Sequence, residues 1–577
     1  MSRIERTKRK TSSTFILFGF ILSFILIGTS LVLWLYPFPS KEKTTFTNMK
    51  YPIISDGEIY PDEALIENGT VYFPLSFIQA TLDDGIIIDQ DSNSIILTTK
   101  EKVYQMPSES LTIFVNEEPH KLEFPIYTTK DNTPYISIDP FQSLYQVQYK
   151  YHKETGITVL KRNGDTIQKG VVKDNQKEYL LHMRSEADLS TPYVSEVKPS
   201  ENVYIEKDVE NYYYIRKENG IAGFVKKDIL NVGDSKKLAI KPQERVQSPL
   251  QALSLPINLT WEAVYSKNPN TKLIPNMTGV NIVSPTWFSL KNNEGDVKNL
   301  GSTAYREWAQ SKGYQVWGLF SNDFDPEKTH EAFNDFETRK KIIRQLLEYS
   351  NMYQLDGINF DIENVNEADG PLVTQFIKEA TPYLHKAGLV VSMDITFISD
   401  SSTWSKFYER EKLAAVVDYM VVMAYDEHWG TSPVSGSVAS LPWVERNLER
   451  LLEVVPHDQL VLAVPLYARI WKEADTEAGN VEVSSKALSM NDVQQWIKER
   501  NLTPTYDEQS GQNYVEYRDD NEKATYKIWI EDELSLQKRI QLIHKYDLAG
   551  VASWTRFFAN DTAWTSISQA LKEENKK

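Results

Sequence analysis

No cysteine occurs among the 577 residues of the chain. Disulfides, thiolate metal centres and cysteine nucleophiles are therefore excluded. Histidine is scarce, at eight residues, and no two of them stand at His-x-x-x-His or a similar ligand spacing. No metal centre and no cofactor are expected on that basis. Positive charge is in deficit, with a formal net charge of −17. That balance argues against a nucleic-acid surface and is neutral towards sugars. What is present, 41% hydrophobic and 25% charged residues, is the make-up of a folded protein able to bury a sizeable core. At about 150 residues per domain, the length suggests three or four domains.

Long apolar runs are absent except at the N-terminus. Arg3, Arg6, Lys8, Arg9 and Lys10 precede an uncharged stretch over residues 15–36. Twenty-odd helical residues span about 30 Å, the thickness of a bilayer core. Trp34 and Tyr36 stand where an interfacial aromatic belt would. A cleaved signal peptide would have a shorter apolar region and an Ala-x-Ala-like site, and Tyr36-Pro37-Phe38-Pro39 offers none. The reading is a basic cytoplasmic tail (1–14), a single transmembrane anchor (15–36), and everything after Pro37 outside the cell.

Residues 51–162 are short strand-like runs with a weak internal repeat. Asn68-Gly69-Thr70-Val71-Tyr72-Phe73-Pro74-Leu75 is echoed by Asn132-Thr133-Pro134-Tyr135-Ile136-Ser137-Ile138. Each copy is followed by a helix-like stretch and then a strand pair, 85–97 and 147–160. Such repeats usually pack on each other. The pattern resembles the domain family named after the N-terminal domain of copper amine oxidases. No copper is implied, and His120 and His152 read as surface residues. Residues 177–232 are a second small β unit of short alternating strands. Its Gly223-Phe224-Val225-Lys226-Lys227-Asp228-Ile229-Leu230 ending resembles the closing motif of bacterial Src-homology-3-like domains. Tyr212, Tyr213 and Tyr214 fit either a binding face or a small core. Residues 233–253, with Pro242 and Pro249, read as a linker.

From 255 to 577, strand-like runs alternate with amphipathic helices. The strands are read at 257–261, 279–284, 314–320, 355–363, 389–394, 419–426, 460–467 and 550–554. Between the fourth and fifth, Pro371 suits a first helical turn. Leu372, Val373, Phe376, Ile377, Ala380, Tyr383 and Leu384 recur at helical spacing, and Gly388 closes the helix. Eight such units predict a (β/α)8 TIM barrel, with a small α+β insertion over about 472–540. The expected chain is thus multidomain: an anchor, two small β-rich domains, a linker and a barrel.

The fourth strand ends in acids. Side chains alternate along a strand, so Asn359, Asp361 and Glu363 share one face and Ile358, Phe360 and Ile362 the other. Asp356-Gly357-Ile358-Asn359-Phe360-Asp361-Ile362-Glu363 resembles the Asp-Gly-x-Asp-x-Asp-x-Glu signature of glycoside hydrolase family 18, with one substitution. Met423-Ala424-Tyr425-Asp426 is similar to that family's sixth-strand motif. Pro465-Leu466-Tyr467-Ala468-Arg469 is similar to its seventh, and Trp554 to its eighth-strand tryptophan.

The resemblance implies a retaining hydrolase of N-acetylglucosamine polymers in which the substrate's acetamido oxygen is the nucleophile. Glu363 is then the general acid and base. Asp361 accepts the acetamido N–H, and Tyr425 donates to the acetamido oxygen. Asn359, Met423, Asp426, Tyr467, Arg469 and Trp554 are implied substrate-binding residues. Asp356 and Asp426 fit a structural hydrogen-bonding role equally well. Trp287, Trp317 and Trp429 fit core packing or sugar contact. Asn359 departs from the signature: an amide supplies no titrating proton, so activity should depend less on a second acidic group. The Gly-Ile-Asn form resembles the spore-cortex and cell-wall N-acetylglucosaminidase branch, which favours peptidoglycan over chitin. A non-hydrolytic peptidoglycan- or chitin-binding protein on the same fold, or a chitinase, is the alternative.

Overall fold

The computed structural model of the chain describes residues 13–35, 38–242, 253, 255–476 and 480–573. The basic tail expected over 1–14 falls largely outside these residues, as do residues 243–252 of the linker expected over 233–253, whose first residues instead continue the strand Leu230–Lys237. Two compact units emerge. One comprises Met1–Asp84 with Ile126–Glu244; the other comprises Gly85–Pro125 with Arg245–Lys577.

The expected transmembrane anchor, and with it the membrane localisation and partnership, needs correction. Among the described residues, no helix is long and apolar enough to cross a membrane. A helix does form over Ser13–Leu35.

In the first unit, the two halves of the repeat lie side by side. Strand Thr70–Pro74 pairs antiparallel with Thr133–Ile136, placing Phe73 opposite Ile136 and Pro74 opposite Tyr135. The chain then forms a seven-stranded antiparallel sheet, including His182–Arg184, Asn202–Val209, Tyr212–Lys217 and Ala222–Lys226. Met183, Val203, Ile215 and Val225 fill its core. Tyr212 is buried with the Lys226 ammonium over its ring, and Tyr214 packs on Phe224.

The second unit is built on a closed ring of eight parallel strands: β1 Ile257–Glu262, β2 Ile282–Pro285, β3 Gln315–Ser321, β4 Gly357–Asp361, β5 Val390–Ile395, β6 Tyr419–Met423, β7 Leu460–Pro465 and β8 Gly550–Trp554. Each pairs parallel with the next, and β8 returns to β1. The strands lie where the apolar runs predicted. Alternation divides the core in two. Ile358, Phe360 and Ile362 belong to the shell between strands and helices, together with Phe320 and Phe376. Leu259, Trp261, Trp317, Leu319 and Val421 fill the lumen.

Helix α1 (Phe336–Tyr353) precedes β4, and helix α2 (Gly370–Lys386) follows it with Pro371 in its first turn. Gly388, at φ 79°, takes the left-handed conformation that lets the chain reverse into β5. Buried Arg339 of α1 forms a two-pronged ion pair with Glu379 of α2, at 2.8 and 2.9 Å. A five-stranded antiparallel sheet over residues 87–121 packs on these helices. Ile96 and Val103 meet Phe336, and the Asp89 carboxylate accepts the Phe336 backbone N–H at 3.0 Å.

After β7 the chain enters a second five-stranded antiparallel sheet, which starts at Tyr467–Asp475 and ends at Ala524–Ile530. Helix Glu533–Lys545 then begins at a reciprocal Asp532–Ser535 cap. Its Leu536, Ile540 and Ile543 join the barrel shell. The last residues of the expected insertion are therefore a barrel helix, because their apolar positions recur at helical spacing facing the strands.

Candidate active site

β4 carries its polar residues into the lumen. Asn359 is fully buried and uses its whole hydrogen-bonding capacity. Its Oδ1 accepts from Trp261 Nε1 at 2.8 Å and Ser284 Oγ at 3.1 Å. Its Nδ2 donates to Ser392 Oγ at 3.1 Å and Asp394 Oδ1 at 2.8 Å. The amide thus ties β1, β2 and β5 to β4. Its orientation is fixed, since a reversed amide would face an indole N–H with a donor.

Two residues further on, the Asp361 carboxyl is buried and hydrogen-bonded to the Glu363 carboxyl. Asp361 Oδ1 is buried with no protein partner. Glu363 follows the end of the strand, where its backbone is held on two sides. Asn322 Nδ2 donates to the Glu363 carbonyl at 2.7 Å, and the Glu363 N–H donates to Asn322 Oδ1 at 3.1 Å. The Tyr408 hydroxyl donates to the preceding Ile362 carbonyl at 2.8 Å.

Asp361, Glu363 and Asp394 open into a cavity of about 440 Å3 at the carboxyl ends of the strands. Trp261, Trp287, Met423, Tyr425, Asp426 and Trp554 also line it. Desolvation pushes the Asp361 carboxyl up to about 7, partly opposed by its hydrogen bond with Glu363. Glu363 is raised well above the ordinary range, first by burial and then by the charges of Asp361 and Asp394. Asp394 is raised likewise, by burial and then by Asp361. A carboxylic acid that keeps its proton at neutral pH can protonate a leaving group. A neighbouring carboxylate in the same dry pocket can stabilise positive charge.

The remaining candidates separate into two groups. Tyr425, Met423, Asp426 and Trp554 line the cavity. Tyr425 is deeply buried, which raises its hydroxyl well above the ordinary range. Trp554 packs at a tilt on Trp261, ring centroids 5.8 Å apart. Tyr467 and Arg469 stand behind Asp426. The Tyr467 hydroxyl donates to Asp426 Oδ1 at 2.6 Å, and an Arg469 guanidinium nitrogen lies 3.6 Å from the same oxygen. Asp426 adopts φ 61°, a left-handed conformation that aspartate tolerates better than most residues.

Asp356 lies at the other end of β4. It accepts the Val316 N–H at 2.8 Å and sits 3.4 Å from Arg306, away from the cavity. Trp287 lines the cavity but donates to Asn268. Trp317 is buried in the lumen, stacked on Tyr419, and Trp429 is half exposed.

Two residues of the site were not singled out from the sequence. Asn322 lies just past the end of β3, and Asp394 is on β5. Each meets β4 only through the closure of the barrel. Asp394 carried one weak signal, a lone acid in an apolar strand. The carboxyl expected to be missing through Asn359 is thus matched by one on the adjacent strand.

Residues 275–559 match the family model described as glycosyl hydrolases family 18, and residues 54–160 match that of the copper amine oxidase N-terminal domain. The chain is 25% identical over 333 residues to an uncharacterized glycosylase of Bacillus subtilis (strain 168), covering 56% of this chain and 93% of that protein. It is 23% identical over 256 residues to the cortical fragment-lytic enzyme of the same organism, covering 44% of this chain and 58% of that protein. The match therefore spans just over half of that relative. The spore cortex-lytic enzyme SleL of Bacillus megaterium QM B1551 superposes with a TM-score of 0.50 at 16% identity, covering 71% of this chain and 99% of that one. That is a likeness of fold.

Proposed function

We propose that this chain, a glycoside hydrolase of the chitinase-like family, cleaves β-1,4 bonds of an N-acetylglucosamine-containing glycan with retention. The nucleophile is the substrate's own acetamido oxygen. Glu363 protonates the leaving oxygen and later deprotonates the incoming water. Asp361 accepts the acetamido N–H and stabilises the oxazolinium ion. Tyr425 donates to the acetamido oxygen and aligns it for attack. Trp554 offers its face to the sugar.

One observation carries this reading. Asp361 and Glu363 are in direct hydrogen-bond contact, yet Asp361 Oδ1 is a buried acceptor without a protein donor. That the nucleophile is the substrate's own acetamido oxygen is what the family resemblance implies. An unpartnered buried acceptor is costly, and an acetamido N–H would satisfy it.

Peptidoglycan is the proposed polymer. The Gly-Ile-Asn form of the strand and the β-rich segments before the barrel support it, as does the relative named for cortical fragments. The test is mass analysis of products from spore cortex, vegetative cell wall and chitin oligomers. The wild-type chain should release fragments with new reducing-end N-acetylglucosamine, and Glu363→Gln should release them about 10³-fold more slowly. Binding by both without products would refute hydrolysis.

A further inference from the structure

Asp394 is a buried acid that the reaction above does not use. It stands on β5, is 1% exposed, and reaches the same cavity as Asp361 and Glu363. Its Oδ1 accepts from Asn359 Nδ2, and every other hydrogen-bonding position of Asn359 is taken by Trp261, Ser284 and Ser392. Asn359 therefore holds the Asp394 carboxyl in place but exchanges no proton with it. The groups facing Asp394 are Asn359, Asp361 and Glu363 from β4, Tyr408 between β5 and β6, and Tyr425 with Asp426 after β6. Three carboxyls around one desolvated cavity do not all ionise together.

We propose that Asp394 is a positioning residue for hydrolysis: held by Asn359, it sets how tightly the Asp361–Glu363 pair holds its proton, without touching substrate. When Asp394 is uncharged, Asp361 is free to ionise beneath the acetamido group. When Asp394 is charged, it favours a proton on the pair and so keeps Glu363 an acid. The carboxyl that sets this balance sits on a neighbouring strand rather than on β4. The inference rests on the hydrolase reading given above.

The test compares four full-length proteins: wild type, Glu363→Gln, Asp394→Asn, and the exchange Asn359→Asp with Asp394→Asn. Chitotetraose and purified peptidoglycan glycan strands serve as probes. kcat and KM are measured from pH 4 to pH 9, and thermal melts report folding. Asp394→Asn keeps an oxygen that accepts from Asn359 and loses the charge alone. Its kcat/KM at pH 7 should fall at least tenfold, with KM changed less than threefold. Removing an anion favours ionisation of its neighbours, so the alkaline limb of the profile should move down by at least half a pH unit. The exchange returns a carboxyl to the cluster and should bring the limb back towards its wild-type position.

An unshifted profile in Asp394→Asn overturns the inference while leaving the hydrolase reading intact. An inactive Asp394→Asn that the exchange fails to rescue also overturns it, because the residue is then only structural. Absence of cleavage by the wild type overturns the hydrolase reading and this inference together.

Discussion

Asn322 grips the peptide on both sides of Glu363: its Nδ2 donates to the Glu363 carbonyl at 2.7 Å, and its Oδ1 accepts the Glu363 N–H at 3.1 Å. The acid stands beyond the last residue of β4, where ladder hydrogen bonds no longer fix the backbone. A side chain from the end of β3 replaces them. Asn322 is itself buried and donates to Thr329 at 2.8 Å. Replacing it with alanine should leave the barrel folded and let Glu363 drift. A misplacement on the order of 1 Å costs about 100-fold. We expect kcat to fall about 10- to 100-fold with KM little changed, measured by steady-state kinetics on the glycan that the wild type cleaves.

Glu363→Gln removes the proton donor while keeping shape. General acid–base catalysis contributes about 10²–10⁴-fold, so kcat should fall about 10³-fold. Glycan binding, read by calorimetry, should persist.

Asp361 links the site to stability. Its folded-state pKa is raised from 3.8 to about 7. The native fold thus favours the protonated form. This contribution is fully present below about pH 4 and is lost as pH rises through about 7. Asp361→Asn abolishes the penalty of ionising a buried acid. In thermal melts, the variant should match the wild type near pH 4 and exceed it by about 2–4 °C at pH 8, while losing activity. Equal melting differences at both pH values would contradict the assignment.

The ion pair between Arg339 and Glu379 pins α1 to α2 around β4. Removing one partner strands the other charge, at a cost of about 3–5 kcal/mol. Arg339→Ala should lose about that much in urea unfolding. Arg339→Met combined with Glu379→Leu should recover most of it, since well-packed apolar pairs replace buried ion pairs at little cost.

The barrel was legible because each strand is an apolar run set between helix signals. The polar face of β4 was legible from alternation alone. Asp394 and Asn322 were not, since their roles depend on strands that meet only when the ring closes. The repeat foretold that Thr70–Pro74 and Thr133–Ile136 would associate. It could not foretell that the sheet over 87–121 belongs with the barrel unit, because that depends on Ile96 and Val103 finding Phe336 more than 230 residues away. The start of the second sheet at Tyr467 was hidden because the chain runs on from β7 with one residue between. The N-terminal run was read for length and polarity alone, and among the described residues no helix is long and apolar enough to cross a membrane.

The most direct measurement is the anomeric configuration of the first product, followed by proton NMR during cleavage of peptidoglycan strands or chitotetraose. Attack by the acetamido oxygen inverts the anomeric carbon once, and water delivered by Glu363 inverts it again. The account predicts the β-anomer first, equilibrating later with the α-anomer, and about 10³-fold slower release from Glu363→Gln. Initial release of the α-anomer would contradict it.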